Sequence, residues 1–115
     1  QAQGKGCGPG ILGVTIGGDR ATGYLATKEL FLLKMGAKNS NPVLAQLEEE
    51  CTYEANTLGI GPMGFGGKTT LLGVKISSLN RVPASYFVSV SYMCWAFRRQ
   101  GAQLSSQGDI KKWFY

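Results

Sequence analysis

The chain has 115 residues, 43% of them hydrophobic and 17% charged, with 17 glycines. That balance excludes a disordered segment and leaves room for one modest core. The net charge is +5 with no basic run longer than two residues, and no RNA-recognition, zinc-finger or helix-turn-helix signature is present; such scattered charge suits a small anion better than a nucleic-acid backbone. Histidine is absent, and the three cysteines stand far apart at positions 7, 51 and 94. Triads containing histidine and Cys-x-x-Cys zinc sites are thereby excluded for this chain alone, and reduced thiols in the cytoplasm or another reducing compartment are expected rather than a disulfide framework. No apolar run approaches membrane-spanning length and no signal peptide is visible, so no membrane role is expected.

Taken in order, residues 1–10 read as a loop, closing on Cys7-Gly8-Pro9-Gly10. Residues 11–16 read as a short buried strand, with Leu12, Val14 and Ile16 on one face, broken by Gly17 and Gly18. Asp19 is placed to cap a helix over 19–35, with Tyr24, Leu25, Phe31, Leu32 and Met35 at helical spacing and Gly36 as its stop. A second helix should begin at Pro42 behind an Asn41 cap and end at Gly59. Its apolar stripe is Leu44, Leu47, Cys51, Ala55 and Leu58, with Glu48, Glu49, Glu50 and Glu54 on a wet face. Strands are expected over 69–76 and 85–93, joined by a turn at 77–83. The link is too short for a helical crossover, so the two are expected to pair antiparallel. In the second strand Tyr86, Val88, Val90 and Tyr92 form one face, with Ser89 and Ser91 opposite. Residues 101–108 are polar and turn-rich, and 109–115 carry Ile110, Trp113, Phe114 and Tyr115, a tail that should pack onto something. The pattern describes an α+β fold, two helices packed on a small, mainly antiparallel sheet.

Two features carry chemistry. In 59–67, five of nine residues are glycine, so the backbone can adopt positive φ and approach a ligand closely. The literal GxGxxG at 59–64 is no dinucleotide fingerprint, because a helix precedes it and a strand follows. Gly67-Lys68-Thr69 is a near miss to a phosphate loop, leaving Lys68 and Thr69 as candidates for anion contact. Cys94 ends an apolar run just before Arg98 and Arg99, where nearby positive charge favours the metal-binding thiolate. Arg98 and Arg99 could neutralise a carboxylate or form a solvated basic end. Cys7 sits in a Gly-Pro-Gly frame that can crowd amides around a sulfur, although composition alone favours a buried, inert cysteine.

Three blocks, KGCGPGILGVTIGGDRA, LGIGPMGFGGKTTLLGVKI and PASYFVSVSYMCWAFRR, resemble the alpha part of the class I, iron–sulfur-dependent hydro-lyases: class I fumarases and L-tartrate dehydratases. They agree in order and spacing and are spread over residues 5–99. The resemblance implies a hydro-lyase acting on a small dicarboxylate through a 4Fe-4S cluster, with Cys7 and Cys94 as two of three cluster cysteines. The third belongs upstream; Cys51 matches nothing in the pattern, so the ligand set here is incomplete. Lys68, Thr69 and Arg98 would contact substrate, and the general base would lie in the beta part. Residues 1–115 are then expected to be one domain, the C-terminal portion of an alpha subunit. Its partners would be the upstream alpha region and a beta subunit or domain, in a homo- or hetero-oligomer. One departure stands out: Val82 occupies the place where many members carry a histidine associated with substrate contact. That departure and the aromatic tail motivate the alternative, a non-catalytic interaction or structural subunit.

Overall fold

The computed structural model of the chain describes residues 5–114; the expected loop at 1–4 and the tail residue Tyr115 lie outside them. The elements are β1 (Gly10–Gly18), α1 (Arg20–Glu29), α2 (Pro42–Thr57), β2 (Leu71–Arg81), β3 (Val88–Met93), β4 (Ala102–Leu104) and β5 (Ile110–Trp113), with short 3-10 turns at Leu30–Leu32, Pro62–Gly64 and Trp95–Phe97. The fold is α+β as expected, and two of its three ladders are antiparallel. Among the described residues no helix is long and apolar enough to cross a membrane.

The main sheet has the order β2-β1-β3, with β1 parallel to β2 and antiparallel to β3. The expected hairpin of β2 and β3 is therefore not formed: β1 lies between them. Their link over 82–87 needs only to step across one strand, about 10 Å at ordinary strand spacing, and six residues reach that easily. The expected turn at 77–83 is mostly strand, because Ser77, Ser78 and Arg81 take Thr15, Ile16 and Gly18 as partners.

Each helix covers one face of the sheet. Asp19 caps α1 with its carboxylate, accepting from the amides of Ala21 at 2.7 Å and Thr22 at 3.0 Å, while the Thr22 hydroxyl accepts from the Asp19 amide. The helix is shorter than expected, passing through the 3-10 turn and ending where Leu33 turns extended. Its inward residues are Gly23, Thr27, Leu30 and Phe31, whereas Tyr24, Leu25, Leu32 and Met35 are exposed, so the apolar face read from spacing is largely the outer one. What draws α1 onto the sheet is small-residue and hydroxyl packing. A Cβ at Gly23 would come within 2.5 Å of the Ser89 hydroxyl, and one at Gly13 would overlap the Thr27 carbonyl. Thr27 shares a 2.6 Å hydrogen bond with Ser91, and both side chains are buried. The serine face of β3 thus meets α1, and Val88, Val90 and Tyr92, on the other face, are exposed.

The other face is conventional. Leu44, Leu47, Cys51 and Ala55 of α2 pack on Leu71, Val74 and Ile76, with Leu12, Val14 and Ile16 beside them; Leu58 is exposed. Asn41 caps α2, and Gly59 closes it at φ 63°, both as expected.

Glu48 corrects the wet-face reading. It is 8% exposed, accepts from the Ile76 amide at 2.8 Å and from Asn39 at 2.9 Å, and lies 3.7 Å from the Lys75 ammonium. Asn39 also donates to the Ile76 carbonyl at 2.7 Å, and Lys75 donates to the Ala37 carbonyl. Asn56 accepts from the amides of Thr70 and Leu71 at 2.7 and 2.9 Å. These side chains satisfy backbone groups that an edge strand would otherwise leave open to a further strand. The C-terminal aromatics form the β4–β5 hairpin, where Trp113 and Phe114 remain about half exposed.

Two outcomes follow. Glu48→Ala strands the Lys75 ammonium and the Ile76 amide, and should cost about 3–5 kcal/mol in urea unfolding, the usual penalty for removing one partner of a buried pair; Glu48→Gln, which keeps the acceptor, should cost less. The second concerns acid. The Thr22 amide foremost, then the Thr22 hydroxyl and Ala21 amide, hold the Asp19 carboxyl below its ordinary 3.8. Its charged cap therefore stabilises the fold fully above 3.8, and that contribution is lost as pH falls through the lower folded value. The thermal midpoint of the wild type relative to Asp19→Asn should fall over that acid window and stay level above it.

Candidate functional site

The mixed ladder brings three separated segments to one end of the sheet. Gly10 faces Leu71 across the parallel ladder, and Ile11 faces Met93 across the antiparallel one. The Cys7 loop before β1, the glycine loop before β2 and the 94–99 segment after β3 therefore emerge side by side. Cys7 is exposed, Cys94 half-buried, and both are free thiols.

Tyr92, two residues before Cys94, reaches across to the Cys7 loop. Its hydroxyl donates to the Cys7 main-chain carbonyl at 3.0 Å. Its ring occupies the space a Cβ would need at Gly6, within 2.5 Å, and at Gly10, where the overlap would be worse. Burial first, then the charges of Cys94 and Cys7, push the Tyr92 hydroxyl above its ordinary range. A Cβ at Gly8 would come within 2.9 Å of the Pro62 Cα, so the Cys7 loop also rests directly on the glycine loop.

That glycine loop is folded on itself. Gly61, at φ 66°, leaves no room for a side chain against the Gly66 backbone, and the Gly66 amide donates to the Ile60 carbonyl at 2.8 Å. Thr70 accepts from the Gly61 amide at 3.2 Å. The loop leaves a helix and enters a strand, as expected, and Met63 in it holds a strained φ of 55°. Lys68 and Thr69 are exposed on its exit.

Beside Cys94 opens a cavity of about 590 Å³, walled by Ile11, Phe31 and Trp95 and bordered by Lys34 and Arg98. Phe97 meets Phe31 edge to face at 5.7 Å, which fixes the 94–99 segment on the 3-10 turn that follows α1. Arg98 is exposed and folds over the Trp95 ring at 5.9 Å. Arg99 is engaged structurally, over Phe97 at 5.0 Å and donating to the Leu33 carbonyl at 3.3 Å. An apolar pocket with cations at its mouth and a thiol in its wall can hold a small anion against a metal-binding sulfur. Cys94 and Arg98 share this cavity; Cys7, Lys68 and Thr69 are not among its lining residues.

Cys51 lies on the inner side of α2, in the packing against the core. Val82 follows the far end of β2, roughly 35 Å along the strand from Leu71 at ordinary strand rise, so it stands at the opposite end of the sheet from the cysteines. Among the described residues no group of three or more histidine, cysteine, aspartate or glutamate side chains is gathered for a metal. Sequence reasoning missed Tyr92, which it placed only as part of an apolar strand face; the glycines at 6 and 10 were the available signal, since both make room for a ring.

Gly10→Ala should overpack the Tyr92 ring and cost roughly 1–3 kcal/mol in denaturant unfolding. Gly36→Ala, with nothing within 4 Å of its added carbon, should leave the midpoint unchanged.

Residues 1–103 match the family described as fumarate hydratase (Fumerase). The whole chain is 54% identical, over 116 aligned positions, to 23% of a Geobacillus stearothermophilus protein provisionally named fumarate hydratase class I. Over 93 positions, 81% of the chain, it is 38% identical to 31% of the L(+)-tartrate dehydratase subunit alpha of Escherichia coli K12. The chain thus matches 23% and 31% of the length of these two relatives.

Proposed function

Because the chain belongs to the fumarate hydratase family, we propose that it is the C-terminal portion of the alpha part of a class I hydro-lyase, which adds or removes water on a small dicarboxylate such as fumarate or tartrate. The observation that supports this reading is that the Cys7 loop, the glycine loop and the Cys94 segment emerge at one end of the sheet, with the Tyr92 hydroxyl bonded to the Cys7 main-chain carbonyl.

Cys7 and Cys94 are the residues that would hold a 4Fe-4S cluster. Two thiolates are fewer than such a cluster's usual ligand set, so the donor set fits a shared centre, completed by the upstream alpha region. When bound, the cluster supplies a Lewis-acidic iron for a substrate hydroxyl or carboxylate oxygen. This chain's own contribution is to hold the two sulfurs, wall the cavity beside Cys94 and present Arg98 to a carboxylate. Lys68 and Thr69, exposed on the neighbouring loop, are secondary anion contacts. The chain carries no histidine, and the resemblance to the family assigns the proton-transferring base to the beta part. That the tartrate dehydratase relative is named an alpha subunit supports a separate partner.

The test is anaerobic reconstitution of the complete alpha and beta protein with iron and sulfide, followed by assays of malate-to-fumarate conversion and tartrate dehydration. Cys7→Ser and Cys94→Ser should each lose iron and turnover, whereas Cys51→Ser should keep both. Arg98→Ala should raise KM about tenfold or more, the worth of a charge-assisted hydrogen bond. No visible cluster absorbance and no turnover on either acid would defeat the proposal and leave a non-catalytic interaction subunit.

A further inference from the structure

We propose that Tyr92 is a positioning residue that holds the Cys7 loop against the strand carrying Cys94, so that the two thiols share one centre. The proposal rests on the two-thiol reading above and goes beyond it by naming what sets their geometry.

Four observations converge. First, the Tyr92 hydroxyl donates to the main-chain carbonyl of Cys7 itself, at 3.0 Å, across 85 residues of sequence. Second, the ring fills a slot made by glycines on both sides of that cysteine. A Cβ at Gly6 would meet the ring within 2.5 Å and one at Gly10 would overlap it, so the loop and the tyrosine fit only as a pair. Third, Tyr92 stands two residues before Cys94 on β3, where Leu12 is its partner across the ladder. A strand is a rigid mount, and it ties the anchor for one thiol to the backbone of the other. Fourth, the side chain faces away from α1, and the residue keeps 37% of its surface exposed. A residue kept only to fill the core would be more deeply buried and would have no need of a hydroxyl aimed at a loop carbonyl.

The consequence is a division of labour. Cys94 is placed by covalent continuity with β3 and by the Phe97–Phe31 contact. Cys7 lies three residues outside β1, in a loop whose glycines would leave its backbone free to move. Tyr92 removes that freedom by one hydrogen bond and one ring contact.

The experiment uses the complete protein with Tyr92→Phe, which keeps the ring, and Tyr92→Leu, which removes ring and hydroxyl. Amide exchange is read by mass spectrometry in the cluster-free protein, and iron release to a chelator is timed after reconstitution. For Tyr92→Phe, exchange over 6–10 should quicken about fivefold, the equilibrium worth of one hydrogen bond, and iron should leave faster by a similar factor. Exchange over 11–16 and the far-UV spectrum should match the wild type, which a general loss of packing would not allow. Tyr92→Leu should show larger changes in the same two readouts. Wild-type exchange over 6–10 and wild-type iron release in Tyr92→Phe would overturn the proposal while leaving the two-thiol reading intact. A wild-type protein that takes up no iron would remove the reading and the proposal together.

Discussion

β1 hydrogen-bonds along both edges, in parallel to β2 and antiparallel to β3, and the rest of the arrangement depends on that double pairing. A strand with one parallel and one antiparallel neighbour has the starts of two strands and the end of the third at one rim. Cys7 precedes β1, the glycine loop precedes β2, and Cys94 follows β3, so all three arrive together. A β2–β3 hairpin would have left Cys94 beside the glycine loop but given the Cys7 strand no fixed seat. The same register accounts for Val82, which follows β2 and is carried to the opposite rim.

The two faces of the sheet are held by different chemistry. On the α2 side, Leu44, Leu47, Cys51 and Ala55 bury apolar surface against Leu71, Val74 and Ile76, the ordinary hydrophobic term. On the α1 side the contact is made by glycines and hydroxyls: Gly13 under Thr27, Gly23 against Ser89, Thr27 bonded to Ser91 and Thr15 to Ser77. There, close approach and satisfied polar groups stand in for large apolar area. The outer edge of β2 is treated differently again. Glu48, Asn39 and Asn56 occupy backbone groups where a further strand would bind.

The legible features were those decided within a few residues. The caps at Asp19 and Asn41, proline at the first turn of α2, the stop at Gly59 and the strand at 11–16 all rest on local geometry that the chain carries wherever it lies. The α2 stripe was also legible, and its 3-4 spacing could have found Glu48, which follows Leu44 by four positions and so shares its side of the helix. The reading failed there because an acidic residue among three others suggested water. At β3 the alternation was legible and the orientation was not. Period two says which residues share a face, and nothing in Val-Ser-Val-Ser-Tyr says which face meets α1 when that helix seeks glycines and hydroxyls. The apolar side chains of 24–35 misled for the same reason, since several of them point away from the sheet.

The candidate site divides along the same line. From residue order alone came the family resemblance, the two cysteines worth naming and the glycine loop between them, because motifs are properties of short stretches. Tertiary structure alone decided that those stretches share one rim of the sheet, that Arg98 and Arg99 both line the cavity beside Cys94, and that Tyr92 ties the Cys7 loop to β3. These depend on which strand lies in the middle, a choice made by contacts between residues sixty to ninety positions apart, and no local propensity records it.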